Sequence, residues 1–181
     1  KREDRAPDGR VLPVFVRTFE EAGYLPEAMV NYLALVGWSF DDKTEIMTRQ
    51  ELIERFTLER VNASPAVWNY EKLDHLNGCY IRSLSVEDLT RRLLPYLAEA
   101  GYEASYERML PITPLIRERI TTLRDVARAA DFFFLNELAP YDPAELIPQK
   151  ADAALARTVL ERAHARLAET EFTLEALEPA L

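Results

Sequence analysis

The sequence predicts a mainly α fold, and three observations carry that prediction. Apolar residues recur at the helical period in one segment after another, capping side chains stand just ahead of those segments, and strand-like alternation is almost absent. The 181 residues are 48% apolar, enough to bury a sizeable core, and two compact units are the preferred arrangement.

In chain order, residues 1–13 hold Arg, Asp, Pro and Gly without apolar periodicity and read as loop. Val14 to Gly23 reads as a short helix carrying Phe15 and Phe19 on one side, with Gly23 as its stop. Pro26 takes a first helical position, and Leu25, Met29, Tyr32, Leu33 and Val36 recur on one buried face before Gly37 ends the helix. After the polar turn SFDDKTE, Thr48 and Glu51 form a T-x-x-E capping box ahead of Leu52, Ile53 and Phe56. Ser64-Pro65 opens a turn into a short helix through Tyr70, Leu73 and Leu76, which Asn77-Gly78 should end.

Ser85 and Asp88 cap a helix through Leu89, Leu93, Leu94 and Leu97 to Gly101, with Pro95 expected to bend or break it. Beyond Pro111 and Pro114, Leu115 to Ala130 reads as one long clean helix burying Ile116, Ile120, Leu123, Val126, Ala127 and Ala130. The aromatic triplet Phe132 to Phe134 reads as a core plug at its end. Proline and acid enrichment makes residues 139–150 a linker. Strong helix formers fill Ala151 to Glu169, with Leu155, Val159, Leu160, Ala163 and Leu167 as the buried side, and Thr173 caps a last helix from Leu174.

Composition restricts the chemistry. The formal charge of −9 argues against a surface coated for nonspecific nucleic-acid binding, yet 18 of the 22 basic residues are arginines, the side chain suited to bidentate phosphate and base contacts. Any nucleic-acid surface must therefore be a local patch. The single Cys79 excludes an internal disulfide framework; it could share a helical face with His75 only if the helix ran on through Gly78, so it reads as a packed thiol. The acidic pair Asp41 and Asp42 reads as a solvated turn. No apolar run approaches the roughly 18 residues of a membrane span, and KREDRAPDGR is unlike a signal peptide, so a cytoplasmic protein without a membrane partner is expected.

Taken in order, GYLPEAMVNYLALVGWS, the T-x-x-E helix ending in FTLERV, and SPAVWNYEKLDHLNGCYIR resemble the carboxyl-terminal half of bacterial-type glutamyl-tRNA synthetase, a class I enzyme. The resemblance is strongest from Gly23 to Arg82 and continues through RERITTLRD, Arg117 to Asp125. It implies a helical stem-contact region over residues 1–83, a first helical anticodon-binding subdomain over 84–140, and the start of a second, truncated one over 141–181. The family's ATP loop, K-[LM]-S-K-R, would end at Lys1-Arg2, which makes Lys1 the lysine that stabilises phosphate charge in the intact enzyme. The link EDRAPDGRVLPVF is longer and richer in proline than the family's usual one, which leaves the orientation of Lys1 open.

The resemblance further implies ligation of glutamate to tRNA(Glu) with ATP and magnesium through a glutamyl-adenylate, performed by an intact monomeric enzyme. This stretch alone would bind tRNA without catalysis and without a cofactor of its own. Arg119 takes the place of an arginine that reaches anticodon bases in relatives, as a planar fork suits splayed bases. Arg117, Arg124 and Arg128 fall at helical spacing on a common face of their own, as phosphate contacts or as a solvated stripe. Lys72, Arg60 and Arg82 match positions near the stem-contact surface, where they would hold the RNA backbone without reading sequence; Lys72 equally suits an intrahelical pair with nearby acids. The competing reading is a helical protein-interaction module without nucleic-acid binding, suggested by the net acidity and the Phe132 cluster.

Overall fold

The computed structural model describes residues 4–5, 11–41, 43–62, 67–135 and 140–180. It divides into two compact units, Lys1–Asn136 and Glu137–Leu181. Lys1, Arg2, Asp42 and the Ser64-Pro65 turn lie outside the described residues.

In the first unit a two-residue antiparallel ribbon, β1 (Asp4–Arg5) with β2 (Val11–Leu12), stands where loop was expected. Helix α1 (Val16–Glu21) buries Phe19 but leaves Phe15 exposed at its N-cap. It ends at Gly23, whose φ of +88° is open to glycine and strained for other residues. Helix α2 (Pro26–Leu35) starts on its proline as expected, but the inward face differs: Leu33 is exposed while Asn31 is fully buried. Asn31 can go inside because every polar atom finds a partner. Its Nδ2 donates to the Glu45 carbonyl at 2.8 Å, and its Oδ1 accepts from Met47 N at 2.7 Å and Tyr80 OH at 2.7 Å. Helix α3 (Arg49–Arg55) opens on the expected capping box, with Glu51 N donating to Thr48 Oγ1 at 3.2 Å and Thr48 N to Glu51 Oε2 at 2.8 Å. The Thr48 N–H first, and then the Thr48 hydroxyl, which donates to Glu51 Oε2 at 2.9 Å, hold the Glu51 carboxyl below its ordinary pKa.

Helix α4 (Tyr70–Ser83) corrects the sequence reading, for it runs straight through Asn77 and Gly78. Both are buried in its middle, and Asn77 spends its polar atoms on tertiary partners instead of on a turn. Gly78 leaves room for the Arg82 guanidinium, since a Cβ there would stand 3.0 Å from Arg82 Nη1. With the helix unbroken, Cys79 Sγ and His75 Nε2 do share a face at 3.7 Å. Helix α5 (Val86–Glu99) is capped by Ser85 Oγ, which accepts from Asp88 N at 3.1 Å, and stops before Gly101 at φ +87°. Pro95 lies inside it without ending it: the proline is on the exposed side, and Leu89, Leu93 and Leu97 hold the opposite face in the core.

The segment after α6 (Tyr106–Met109) is the second correction. The single helix expected from Leu115 to Ala130 is instead α7 (Thr113–Ile116), a 3-10 turn Arg117–Arg119, an extended Ile120, a 3-10 turn Leu123–Asp125 and α8 (Val126–Ala129). The break is chemical. Asp125 Oδ2 accepts from Thr121 N at 2.9 Å and Thr122 N at 2.7 Å, capping a new turn where the helix would have continued. Five of the six apolar residues nevertheless go where expected: Ile116, Ile120, Leu123, Val126 and Ala130 are all buried, in one core with Leu25, Ile81 and Leu93, while Ala127 is half-buried. Phe133 and Phe134 pack partly against that core, while Phe132 is 51% exposed. A second cluster joins Phe19, Tyr32, Leu73 and Leu76 with Trp68 and Tyr70 packed on it, and a third joins Trp38, Met47 and Leu52. Thr90 and Thr113 meet through their hydroxyls at 2.7 Å inside the first core.

In the second unit Asp142 Oδ1 accepts from Ala144 N at 2.9 Å to start the 3-10 turn Pro143–Leu146. Asp152 caps α9 (Ala153–Ala168), and Thr173 Oγ1 accepts from Ala176 N at 3.3 Å at the start of α10 (Leu174–Leu177). The expected buried side of α9 is not buried: Leu155 and Val159 are 54% and 56% exposed, and Ala156 is the residue that goes inside. The periodicity of α9 is real, but among the described residues its unit supplies only single-turn segments besides it.

Candidate nucleic-acid interface

A cleft of about 1170 Å³ opens in the first unit where the start of α4 faces the chain from Arg119 to Phe132. Tyr24, Trp68, Tyr70 and Asp74 line it from one part of the sequence, and Arg119, Arg124, Arg128 and Phe132 from the other. The aromatic residues are held by each other: the Phe19 ring lies 5.5 Å from those of Tyr24 and Trp68, and Tyr32 meets Trp68 edge-on at 4.8 Å. Trp68 and Tyr70 thus pack, as the sequence suggested, but they also present one side to the cleft. The Tyr24 hydroxyl donates to the Asp74 carboxylate, and Tyr70 OH donates to the Pro13 carbonyl at 2.9 Å.

Three arginines share this cleft although the helix expected to align them is broken. Arg124 is anchored, its Nη2 3.0 Å from Glu99 Oε1 and its Nη1 donating to the Glu21 carbonyl at 2.7 Å. Arg119 and Arg128 are exposed and, among the described residues, make no ion pair or hydrogen bond. Two charged forks left unpaired beside aromatic faces can take up phosphate oxygens or stack on bases at little internal cost.

The remaining basic residues singled out in the sequence are not brought to the cleft. Arg117 stands 3.6 Å from Glu118, and Arg82 reaches Glu118 at 4.0 Å and donates to Cys79 Sγ at 3.4 Å. Lys72 pairs at 2.6 Å with Glu45, which lies outside α4, and not with an acid of its own helix as the ion-pair reading expected. Arg60 donates to the Phe40 carbonyl and lies 5.7 Å over the Phe40 ring. Asp41 is the turn acid expected; its carboxylate, lowered in pKa chiefly by the Thr44 and Lys43 N–H groups, accepts from both.

The floor beneath the arginines was not read from the sequence. Gly23 O accepts from Leu123 N at 2.9 Å, and Tyr96 OH donates to the Glu20 carbonyl at 2.8 Å. Burial first, then the Glu20 and Glu99 carboxylates, raise the Tyr96 phenol's pKa and keep it a donor. Arg92 makes a similar long-range tie, with Nη1 3.0 Å from Glu27 Oε1 and Nη2 3.1 Å from Asp88 Oδ2. Apart from Arg92 with Asp88, an i,i+4 pair within α5, these ties join residues far apart in sequence, and no local spacing announces them.

Comparison with known proteins places these observations. Residues 88–181 match the family described as anticodon binding domain, and residues 10–75 match tRNA synthetases class I (E and Q), catalytic domain. The chain is similar to a glutamate–tRNA ligase of Solibacter usitatus, 47% identical over 97% of this chain and 39% of the relative. It is likewise similar to one of a Roseiflexus species, 50% identical over 95% of this chain and 35% of the relative. The chain thus spans well under half of these relatives' length. Among solved structures it resembles the glutamate tRNA ligase of Elizabethkingia meningosepticum, crystallised in complex with its amino acid, with a TM-score of 0.68 and 26% identity over 98% of this chain and 34% of that one. The glutamate-tRNA synthetase of Elizabethkingia anophelis gives the same TM-score at 28% identity.

Proposed function

Because the chain belongs to the glutamate–tRNA ligase family and carries its anticodon-binding domain, we propose that it grips tRNA(Glu) for an enzyme that joins glutamate to that tRNA. Within this reading the intact protein is a cytoplasmic monomer that spends ATP, with magnesium, on a glutamyl-adenylate and then esterifies the tRNA. Lys1 closes its ATP loop and neutralises phosphate charge there. The part of the described residues in this reading is binding of the RNA. The organisation that goes with it is stem contact over 1–83, a first anticodon-binding subdomain over 84–140 and a second from 141.

One observation carries the RNA reading: Arg119 and Arg128 border an aromatic-lined cleft and are unpaired among the described residues. Guanidinium groups in that state neutralise phosphates and release counterions without first breaking an internal pair. Arg124, already anchored on Glu99, stiffens the wall between them and adds positive field. Arg117, Arg82, Arg60 and Lys72 must trade an internal partner for an RNA one, so each contributes less.

The test is steady-state glutamylation by the full-length protein. Arg119→Ala with Arg128→Ala should raise KM for tRNA(Glu) about tenfold or more while helical content by circular dichroism stays as it was. Unchanged tRNA kinetics would remove both arginines from the interface. Failure of the full-length protein to bind any tRNA at low salt would remove the function itself.

A further inference from the structure

Asn77 is a fully buried amide in the middle of α4, between the stretch that matches the catalytic-domain family and the stretch that matches the anticodon-binding family. Its two ends face opposite kinds of group. The Leu25 N–H, at the corner between α1 and α2, donates to Asn77 Oδ1 at 2.8 Å, and Asn77 Nδ2 donates to the Thr121 carbonyl at 2.7 Å. An N–H on one side and a carbonyl on the other leave one satisfied orientation for the amide. Aspartate would present an acceptor to the carbonyl, and an apolar residue would leave both backbone groups unmet.

We propose that Asn77 is a positioning residue for RNA binding, clamping the arginine loop, residues 119–128, to the α1–α2 corner so that Arg119 and Arg128 are held at a fixed reach. This rests on the reading of the cleft as the RNA site. Thr121 lies two residues from Arg119, and its peptide is held on both sides, by Asn77 at the carbonyl and by Asp125 at the N–H. The same corner takes two further ties from the loop, Leu123 N to the Gly23 carbonyl and Arg124 Nη1 to the Glu21 carbonyl. Arg119 has no partner of its own among the described residues, so its placement depends on the backbone that carries it. That backbone is extended at Ile120, without helical hydrogen bonds to stiffen it, and the Asn77 clamp supplies what the missing helix does not.

The experiment uses the full-length synthetase with two readouts, KM and kcat for tRNA(Glu) and hydrogen exchange of peptides covering residues 117–128 and 86–99. Asn77→Asp, or Asn77→Ala should the first fail to fold, is expected to speed exchange in 117–128 about tenfold and leave 86–99 unchanged. It should also raise KM for tRNA about fivefold with kcat within about twofold. Faster exchange with unchanged KM would make Asn77 a purely structural residue and overturn the proposal, as would exchange that rises equally in 86–99. The doubly substituted Arg119→Ala, Arg128→Ala enzyme separates the two levels. If it raises KM and the Asn77 variant does not, the clamp alone falls; if neither moves KM, the RNA reading falls and the clamp's role falls with it.

Discussion

Gly23 holds φ at +88°, and a Cβ there would stand 2.5 Å from Arg124 N and 2.7 Å from Leu123 N. Both the backbone conformation and the space are closed to a side chain, and the atoms in the way are backbone that cannot swing aside. Gly23→Ala should therefore cost about 2 kcal/mol or more, seen as a fall in Tm of roughly 4–8 °C. An unchanged Tm would mean the α1–α2 corner shifts freely against the arginine loop, contrary to the hydrogen bonds that join them. The glycine was legible as a helix stop because the local pattern ends there. Its close approach to Leu123 and Arg124 was not, because that contact spans a hundred residues of chain. Asn77 carries the same lesson with opposite sign: beside Gly78 it looks like a turn, and buried partners on Leu25 and Thr121 make it helix instead.

Among the elements, α5 shows which local signals survive burial. Ser85 starts it and Gly101 follows its end as the sequence implied, yet Pro95 neither ends nor interrupts it. A proline inside a helix forfeits one hydrogen bond and crowds the carbonyl four residues back, about 3 kcal/mol, while it saves up to about 1 kcal/mol by stiffening the unfolded chain. Pro95→Ala should thus stabilise the protein by about 2 kcal/mol, a rise in Tm of some 4–8 °C. A lower Tm would show that the proline ring packs usefully despite its exposure. The segment from Ile116 to Ala130 failed the other way. Its apolar spacing fitted a helix, but Asp125 captures the Thr121 and Thr122 amides, and a broken path buries the same side chains. Spacing told which residues go inside without telling what backbone takes them there.

For the whole molecule, a net charge of −9 and a local cluster of arginines make a specific electrostatic expectation. If the cleft is the RNA site as proposed, the acidic bulk repels RNA at long range and the attraction comes from the few arginines that face the cleft. Each phosphate they neutralise steepens the salt dependence of binding by about 0.7 to 1 on a double-logarithmic plot. Removing Arg119 and Arg128 from the full-length protein should flatten that slope for tRNA by about one to two. An unaltered slope, with weaker binding at all salt concentrations, would mean they act by stacking or packing and not by meeting phosphate.

The family, the helical class, the caps at Thr48 and Ser85 and the stops at Gly23 and Gly101 were determined by the sequence itself, because each rests on residues a turn or two apart or on an ordered run of motifs. Tertiary structure decided that α4 continues through Asn77 and Gly78, that the 115–130 stretch breaks, and which arginines stay unpaired. Continuation through Asn77 depends on Leu25 and Thr121, distant in the chain, whereas the break rests on Asp125 taking the Thr121 and Thr122 amides, a local competition that apolar spacing does not register. A buried amide takes whichever backbone satisfies it, and a guanidinium binds whichever carboxylate the fold brings near. Arg82 reaches Glu118 and Arg60 the Phe40 carbonyl, partners that spacing does not announce, Arg117 meets its neighbour Glu118, and Arg119 and Arg128 are left unpaired among the described residues.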